Sequence, residues 1–249
     1  MKNFRILFVF LFVFGFCAVS WSQSPSNIDN KILYRKERSA FIEVHTGGWG
    51  LGYRTGKHIT GYKKRMFEFE AIGMKHPKEL KITSYYENSR NFIYGKLNSV
   101  FILRGGYGRQ RVLNGKPYWG GVEVRFLWFG GVSIALAKPV YLYIVKYIDE
   151  NGNQDIVTER YDPYNHAITD IYGRASFFKG FDKMSVYPGA YFKTGLSFEY
   201  GADDRLLKSL ECGIAGDIYP KAVPIMAFNK NNNYFLSLYL SLHIGKRKN

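Results

Sequence analysis

Cysteine is nearly absent from the sequence, which has only Cys17 and Cys212 among its 249 residues. Cys17 lies in an N-terminal apolar segment that we expect to be removed, so Cys212 would have no partner for an intrachain disulfide. A small exported protein without disulfides must be stabilised in another way. A closed β-barrel achieves this through a continuous hydrogen-bonded ladder.

Acidic residues are also few, because 20 Asp and Glu stand against 35 Lys and Arg, for a net charge of +15. Such an excess is typical of proteins that bind nucleic acids or anionic membrane surfaces. An exported protein rarely meets nucleic acid. We therefore interpret the charge as complementarity to the headgroups of outer-membrane lipids and lipopolysaccharide, with no nucleic-acid partner.

Long apolar runs are confined to the N-terminus. Lys2 and Arg5 flank the start of an unbroken apolar run, Ile6 to Ala18, and Ser20-Trp21-Ser22 places small residues where a signal peptidase cleaves. The run is too short for a convincing membrane-spanning helix, which disfavours a retained anchor. The predicted organisation is a cleaved signal peptide, a periplasmic N-terminal segment and an outer-membrane barrel, over residues 1–22, 23–38 and 39–249.

Sustained helical periodicity is missing from the rest of the chain. In the whole sequence, aromatic residues make up 18% and 26 residues are Gly. The final segment shows the alternative pattern. From Tyr234 to Ile244, apolar residues occupy every second position, which is the period of a β-strand. Eleven residues of alternation match the 9 to 11 or so that a tilted strand needs to cross the hydrocarbon layer.

The same alternation recurs along the chain and predicts an all-β fold, a transmembrane antiparallel up-and-down barrel of eight strands with long loops on one side. The predicted strands are Ser39–Arg54, Tyr62–Met74, Tyr94–Gly108, Gly121–Phe129, Val132–Tyr147, Gly189–Tyr200, Leu206–Tyr219 and Tyr234–Lys246. In this parse Gly130-Gly131 and Ala202–Arg205 are short turns on one side, and Arg109–Gly120, Ile148–Pro188 and Pro220–Asn233 are long connections on the other. Lys75–Ile93 does not fit, since it is long where a short turn is needed, and Pro139 interrupts the fifth strand.

The phase of the alternation decides between a membrane barrel and a soluble barrel, in which the apolar face would point inward. One face of each strand is rich in Leu, Phe and Tyr, and the other carries Gly, Ser and charges of both signs. Eight strands enclose room for side chains and little more. We predict that the polar face fills the lumen as a structural network of Glu43, Glu68, Glu70, Lys96, Arg104, Glu123, Arg125, Lys193, Glu199, Glu211 and Asp217.

The strand pattern carries a resemblance to known proteins. Tyr94-Gly95-Lys96-Leu97-Asn98, the Gly189–Phe198 segment and the terminal Tyr234–Lys246 segment resemble strands of the small bacterial outer-membrane barrels, namely the OmpA transmembrane domain, the OmpX group and the PorT-like barrels. Many such barrels end on an aromatic residue, whereas this chain ends in Gly245-Lys246-Arg247-Lys248-Asn249. The resemblance implies a Gram-negative outer-membrane location, and its PorT-like part implies a role in protein secretion.

Candidate chemistry is sparse. Ser241 and His243 share a face of the last strand, as a lipid-modifying enzyme would need, but that face is predicted to be the lumen, out of reach of lipid. His45, His243 and Glu43 fall on the first and last strands, which would be neighbours, yet a metal site needs three or four well-placed ligands. We predict no catalytic, metal-binding or cofactor-binding residue, and no cofactor.

Two loop segments are unusually apolar. Residues Asn165 to Phe181 carry apolar side chains at helical spacing, which allows either an amphipathic helix at the barrel mouth or a loop that packs its own aromatics. Residues Lys221 to Phe228 indicate a candidate partner surface on the long-loop side.

The function hypothesis is a non-enzymatic outer-membrane barrel with a plugged polar lumen, acting as a structural, adhesive or secretion-accessory component through its long loops. Secretion or envelope proteins are the candidate protein partners. The alternatives are an outer-membrane lipid-modifying enzyme and a narrow channel.

Overall fold

The computed structural model describes residues 35–86, 89–116, 121–147, 154–201, 203 and 205–248. The predicted signal peptide and most of the predicted periplasmic segment lie outside these residues. Eight long strands form the barrel: β1 (Lys36–His45), β2 (Gly48–Thr60), β3 (Lys63–Met74), β6 (Asn98–Asn114), β7 (Glu123–Pro139), β11 (Ser185–Glu199), β12 (Leu206–Ile218) and β13 (Tyr234–Lys248). The shorter elements are β4 (Lys81–Ile82), β5 (Phe92–Ile93), β8 (Tyr141–Tyr147), β9 (Gln154–Arg160), a 3-10 helix at Ile168–Asp170, and β10 (Ile171–Arg174).

The barrel is closed and every pairing within it is antiparallel. Its strands follow the order β1, β13, β12, β11, β7, β6, β3, β2, so neighbours around the barrel are neighbours along the chain. Closure is made between the first and last strands, where Lys36 pairs with Lys248 and His45 with Tyr239. The predicted eight-stranded up-and-down barrel is confirmed, although the first, fourth and fifth predicted strands were divided wrongly.

The first predicted strand, Ser39–Arg54, is in fact a hairpin of β1 and β2 with a turn at Thr46 and Gly47. Gly48 begins the second strand with φ 152°, and a Cβ at this position would lie 2.2 Å from the carbonyl oxygen of Gly73. Only glycine accepts that approach. The glycines that we interpreted as a bend inside one strand therefore mark a chain reversal.

The fourth predicted strand and the first part of the fifth are one continuous strand, β7, which runs through Gly130 and Gly131 to Pro139. The rest of the fifth is β8, which lies outside the barrel wall. These glycines do not form a turn. A Cβ at Gly131 would lie 2.2 Å from the carbonyl oxygen of Gly105 on the neighbouring strand, so the pair allows close backbone approach between β6 and β7. The two errors compensate, which is why the predicted count of eight was nevertheless correct.

With the strand boundaries corrected, the two ends of the barrel differ in the length of their connections. The end that carries Lys36 and Lys248, called here the termini end, is closed by the connections 61–62, 115–122 and 200–205. The opposite end, called the loop end, carries 46–47, 75–97, 140–184 and 219–233. The 75–97 connection thus lies among the long ones, and Arg109–Gly120, predicted as a long excursion, begins with the last six residues of β6, at the termini end.

Side chains alternate between the two faces of the wall with little interruption. The outward positions of β13 are apolar and exposed, with Leu236, Leu238 and Leu240 at 72%, 61% and 50% of their full accessibility. Its inward positions, Ser241 and His243, are buried. The polarity is therefore the reverse of a soluble barrel. No helix in the described ranges is long and apolar enough to cross a membrane.

Outside the barrel wall, the two long connections form sheets of their own at the loop end. Strands β8, β9 and β10 make a three-stranded sheet, and β4 pairs with β5. A small core joins them, made of Phe92, Leu142, Ile144, Tyr161 and Ile171. Burial raises the pKa of Tyr161 to about 12, so its hydroxyl stays protonated while its oxygen accepts a hydrogen bond from the Gly95 amide at 3.2 Å.

Candidate functional site

The lumen holds most of the charged residues that the alternation assigned to it. Ten of the predicted network residues are buried on the inward face of barrel strands: Glu43, Glu68, Glu70, Arg104, Glu123, Arg125, Lys193, Glu199, Glu211 and Asp217. Lys96 lies apart from them, in the connection before β6. Its ammonium pairs with Glu79 at 2.7 Å, at the loop end.

At the termini end, six charged side chains of alternating sign fill the lumen. Glu37 lies 2.5 Å from the Lys64 ammonium, and Arg125 donates to Glu123 at 2.7 Å. Each cation is separated from the next by a carboxylate. The successive ion pairs link, in order, Lys64, Glu37, Arg247, Glu199, Arg125 and Glu123.

In the middle of the barrel, Arg54 bridges carboxylates from opposite walls. Its guanidinium makes two hydrogen bonds to Glu211, at 2.6 and 2.9 Å, and also bonds Glu68. Such bidentate contacts are the strongest geometry that an arginine offers. The same guanidinium lies 4.7 Å from the centre of the Phe129 ring.

Lys193 is the second bridging cation of the middle layer. Its ammonium lies 2.7 Å from Glu43 and 3.6 Å from Glu68, and it also pairs with Glu70. All of these side chains are almost completely buried. Three carboxylates from two strands therefore share one lysine.

Nearer the loop end, Arg104 makes the corresponding contacts. It donates to both oxygens of Asp217, at 3.0 and 2.6 Å, and to Glu70 at 3.0 Å. Ser133 donates to Asp217 at 2.8 Å and lies 2.6 Å from the Tyr219 hydroxyl. The ion pairs therefore occupy the lumen at three successive levels.

Glycines on the inward face make room for aromatic rings between these levels. A Cβ on Gly108 would lie 2.3 Å from the Phe129 ring, and one on Gly52 would lie 2.3 Å from the Phe41 ring. The rings lie under the cations, so they fill space and also provide favourable cation–π contacts.

The loop-end mouth is closed by the connection between β12 and β13. Val223, Ile225 and Met226 are buried against inward-facing residues of the wall. The carbonyl oxygen of Ile225 accepts hydrogen bonds from the Leu97 and Asn98 amides, at 2.9 and 3.2 Å. Most of Lys221–Phe228, the apolar segment that suggested a partner surface on the long-loop side, is therefore a plug. Phe228 alone among these apolar side chains is largely exposed, at 69%.

Ser241 and His243 lie within this network. The Ser241 hydroxyl is 3.0 Å from His243 Nε2, and Glu211 is 3.1 Å from the same nitrogen. A nucleophile relay needs the acid on the other ring nitrogen, and here Nδ1 is buried without a hydrogen-bond partner. Both side chains are fully buried, so the arrangement serves packing.

The two histidines considered as metal ligands and set aside in the sequence analysis are not brought together. His45 and His243 lie four residues apart along the β1–β13 pairing, and the His243 ring instead stacks on Phe41 at 4.3 Å. No cluster of three or more potential ligands occurs within the described ranges.

Four buried charges of the lumen were missed by the sequence reasoning: Glu37, Arg54, Lys64 and Arg247. Each continues the inward parity of its strand. Glu37 precedes the predicted start of the barrel and Arg247 follows the predicted end of the last strand. Extending the alternation by two residues at each end of the chain would have found both.

The Asn165–Phe181 segment does not form an amphipathic helix. It contains the one-turn 3-10 helix, strand β10 and a turn that carries Phe177, Phe178 and Phe181. This turn packs over the outside of the wall, where the Lys138 ammonium donates to the carbonyl oxygens of Phe177 and Lys179 at 2.8 and 3.2 Å. The aromatics pack on one another, as the second interpretation expected.

Comparisons with known proteins gave matches among solved structures alone, since no protein-family model and no curated protein matches the sequence. The chain is similar to Neisserial surface protein A, with 11% identity, a TM-score of 0.40, and coverage of 86% of this chain and 96% of the other. It is also similar to the N-terminal β-barrel domain of Pseudomonas aeruginosa OprF, with 9% identity, a TM-score of 0.36 and coverage of 86% and 97%.

A third similar structure is Ail, the attachment invasion locus protein of Yersinia pestis, with 7% identity, a TM-score of 0.39 and coverage of 86% and 99%. These likenesses concern the barrel architecture alone. The fold assignment rests on the chain's own strand order. At that level the predicted resemblance is confirmed, because this chain is a closed eight-stranded antiparallel barrel like the small outer-membrane barrels.

Proposed function

We propose that the protein is a non-enzymatic barrel of the Gram-negative outer membrane, with a closed lumen, that acts as a structural or secretion-accessory component through its loop end. The observation that carries the proposal is the inverted polarity of the wall. Leucines of β13 face outward, while every carboxylate of the barrel strands is buried inside. Such a surface is compatible with acyl chains and not with water.

The lumen supports the closed state over a channel. Ion pairs span it at three levels and the 219–233 plug covers one mouth. Eight-stranded barrels enclose little space beyond their side chains. We therefore expect no conductance steps from the purified protein in planar bilayers. Stable, ion-selective steps would support the narrow channel instead.

The loop end supports a role in interaction. Tyr85, Tyr164, Phe178 and Phe228 are exposed there at 97%, 89%, 80% and 69%. Exposed aromatic side chains are typical of protein-binding surfaces, where they supply large contact areas at low entropic cost.

The partner test is an affinity purification from detergent-solubilised outer membranes, with the wild type beside a Tyr85→Ser/Tyr164→Ser variant. A secretion or envelope protein recovered with the wild type and lost with the variant supports the accessory role. A matched Ile59→Ser variant, changed at the termini end, should retain the partner. Recovery of lipopolysaccharide alone from every variant would count against the accessory role.

The non-enzymatic assignment is supported by the burial of Ser241 and His243. It is also supported by the contacts of His243, because Ser241 and Glu211 both approach its Nε2 atom. A Ser241→Ala/His243→Gln variant tests it in reconstituted vesicles of outer-membrane lipid. We expect unchanged lipid composition after incubation with either protein. Lipid hydrolysis by the wild type that disappears in the variant would establish the enzyme.

A further inference from the structure

The charged residues of the barrel strands are sorted by sign between the two faces of the wall. All eight carboxylates of the barrel strands face inward and are buried. The charged residues that face outward are all cations. Ten of them are exposed at the termini end, and we call them the basic collar: Lys36, Arg38, Lys57, Lys63, Arg65, Arg109, Arg111, Lys208, Lys246 and Lys248.

Half of the collar stands in direct register across five neighbouring strands. Lys248 of β13 pairs with Lys36 of β1, and Lys36 pairs with Lys57 of β2. Lys57 then pairs with Arg65 of β3, and Arg65 with Arg109 of β6. Each cation therefore has another cation as its direct cross-strand neighbour.

Like charges in such positions repel each other and destabilise a sheet. None of the collar residues forms an ion pair with a carboxylate within the described ranges. The exposed described carboxylate in the nearby β11–β12 turn is Asp203, whose oxygen accepts a hydrogen bond from the Arg205 amide at 2.8 Å. Among the described residues, no carboxylate neutralises the collar.

The loop end is different, because its cations are interspersed with acids. Lys96 pairs with Glu79 at 2.7 Å, and Lys146 pairs with Glu159. The collar, by contrast, consists of cations alone. It covers six adjacent strands and leaves out β7 and β11, whose outward residues there include Phe126 and Phe198.

The collar adjoins the apolar band of the wall. On β13, Ile244 precedes Lys246, and on β3, Arg65 is followed at the next outward position by Phe67, which is 55% exposed. Long basic side chains in this position lay their methylenes on the apolar surface and extend their charges toward headgroups. A ligand that fits both features has acyl chains joined to a negatively charged head.

We propose that the basic collar is a binding surface for anionic phospholipids in the leaflet at the termini end, with the phosphates bridging neighbouring strands. The inference rests on the proposed function, since it requires that the barrel span a bilayer. Its occupant is a phospholipid with a net negative headgroup, such as phosphatidylglycerol. The bound lipids offset the repulsion that the register imposes.

The test compares lipid binding by native mass spectrometry, with the full chain released from nanodiscs that contain equal phosphatidylglycerol and phosphatidylcholine of identical acyl chains. The collar variant is Lys36→Gln/Lys57→Gln/Arg65→Gln. The matched control, Lys183→Gln/Lys221→Gln/Lys230→Gln, removes the same charge from exposed loop-end lysines. Resistance of the folded barrel to proteolysis in phosphatidylcholine vesicles reports insertion separately.

We expect the wild type to retain phosphatidylglycerol in preference to phosphatidylcholine. That preference should fall about fivefold for each collar cation removed, remain unchanged in the control, and weaken at high salt. The collar variant should insert as well as the wild type. An equal loss in the control, or an unchanged preference in the collar variant, would overturn the proposal.

Two further outcomes are distinguishable. If the wild type does not insert into vesicles at all, the proposed membrane function fails and not merely the collar. A second experiment applies if the protein inserts, and adds poly-glutamate to the nanodiscs. If poly-glutamate binds the collar in phosphatidylcholine nanodiscs and remains bound when phosphatidylglycerol is present, the occupant is an acidic soluble partner. The lipid proposal is then overturned while the barrel assignment stands.

Discussion

At the scale of single residues, buried cations in the lumen each satisfy several carboxylates. Lys193 contacts Glu43, Glu68 and Glu70, and Arg54 joins Glu68 to Glu211. A buried ion pair contributes little net stability, but removing one partner leaves an uncompensated charge at a cost of about 3–5 kcal/mol. Substitution of a bridging residue in the lumen should therefore cause the largest loss of folding free energy.

Replacing the central lysine tests this directly. Lys193→Met should lower the free energy of unfolding by about 3–5 kcal/mol, because Glu43 loses the cation that it bonds, while Glu68 and Glu70 each keep one arginine. The measurement is urea unfolding of the vesicle-inserted barrel followed by tryptophan fluorescence. Lys208→Met, an exposed outward lysine, should change it by about 1 kcal/mol or less. Equal effects of the two substitutions would refute a bridging role for Lys193.

Inward glycines set the space for aromatic side chains. Gly108→Ala should destabilise the barrel by about 1–3 kcal/mol, because the added Cβ meets both the Phe129 ring and the Trp128 carbonyl oxygen. Gly130→Ala, on the adjacent strand, has no atom within 4 Å of its Cβ and should change stability by less than about 0.5 kcal/mol. The same unfolding experiment compares them, and a neutral Gly108→Ala would contradict the packing account.

At the scale of elements, the strand boundaries show where local pattern is ambiguous. Gly47-Gly48 and Gly130-Gly131 are similar pairs in sequence, yet the first borders a hairpin turn and the second lies inside a 17-residue strand. The two pairs differ in the neighbouring strand that their backbone approaches, which the local sequence does not show. Strand length does not distinguish them, since the first predicted strand, at 16 residues, is shorter than the 17-residue β7.

The plug between β12 and β13 covers the mouth but is not the sole obstruction. Replacing residues 222–229 by a Gly-Ser linker should leave the barrel non-conducting in planar bilayers, because the ion pairs around Arg54, Lys193 and Arg104 still fill the lumen. The linker should lower thermal stability, since Val223, Ile225 and Met226 lose their buried contacts. Steady conductance after the replacement would show that the plug itself is the gate.

At the scale of the whole molecule, two properties have the same origin: the apolar exterior and the high net charge. The eight carboxylates of the barrel strands are confined to the lumen, where they meet six buried Lys and Arg side chains, and the surplus cations lie on the exposed ends. The net charge of +15 is thus a property of the barrel's rims and loops rather than of its core.

The orientation of the wall toward lipid is testable by placing a charge at two depths. Leu238→Arg, in the middle of the apolar band of β13, should cost about 2–4 kcal/mol in phosphatidylcholine vesicles, whereas Ile59→Arg, beside the collar, should cost about 1 kcal/mol or less. Both positions are exposed, at 61% and 47%. Urea unfolding in vesicles measures the difference, and equal costs would mean that the wall does not face acyl chains.

The sequence by itself determined the fold class, the polar face of most strands and most of the residues that point inward, because a period of two divides the side chains of a strand into two sets before any tertiary contact forms. Only the tertiary structure decided which strands adjoin, which carboxylate each cation bonds, that 219–233 enters the mouth, and that five cations stand in register. These depend on closure of the barrel, since closure brings residues more than 200 positions apart, such as Lys36 and Lys248, into direct pairing.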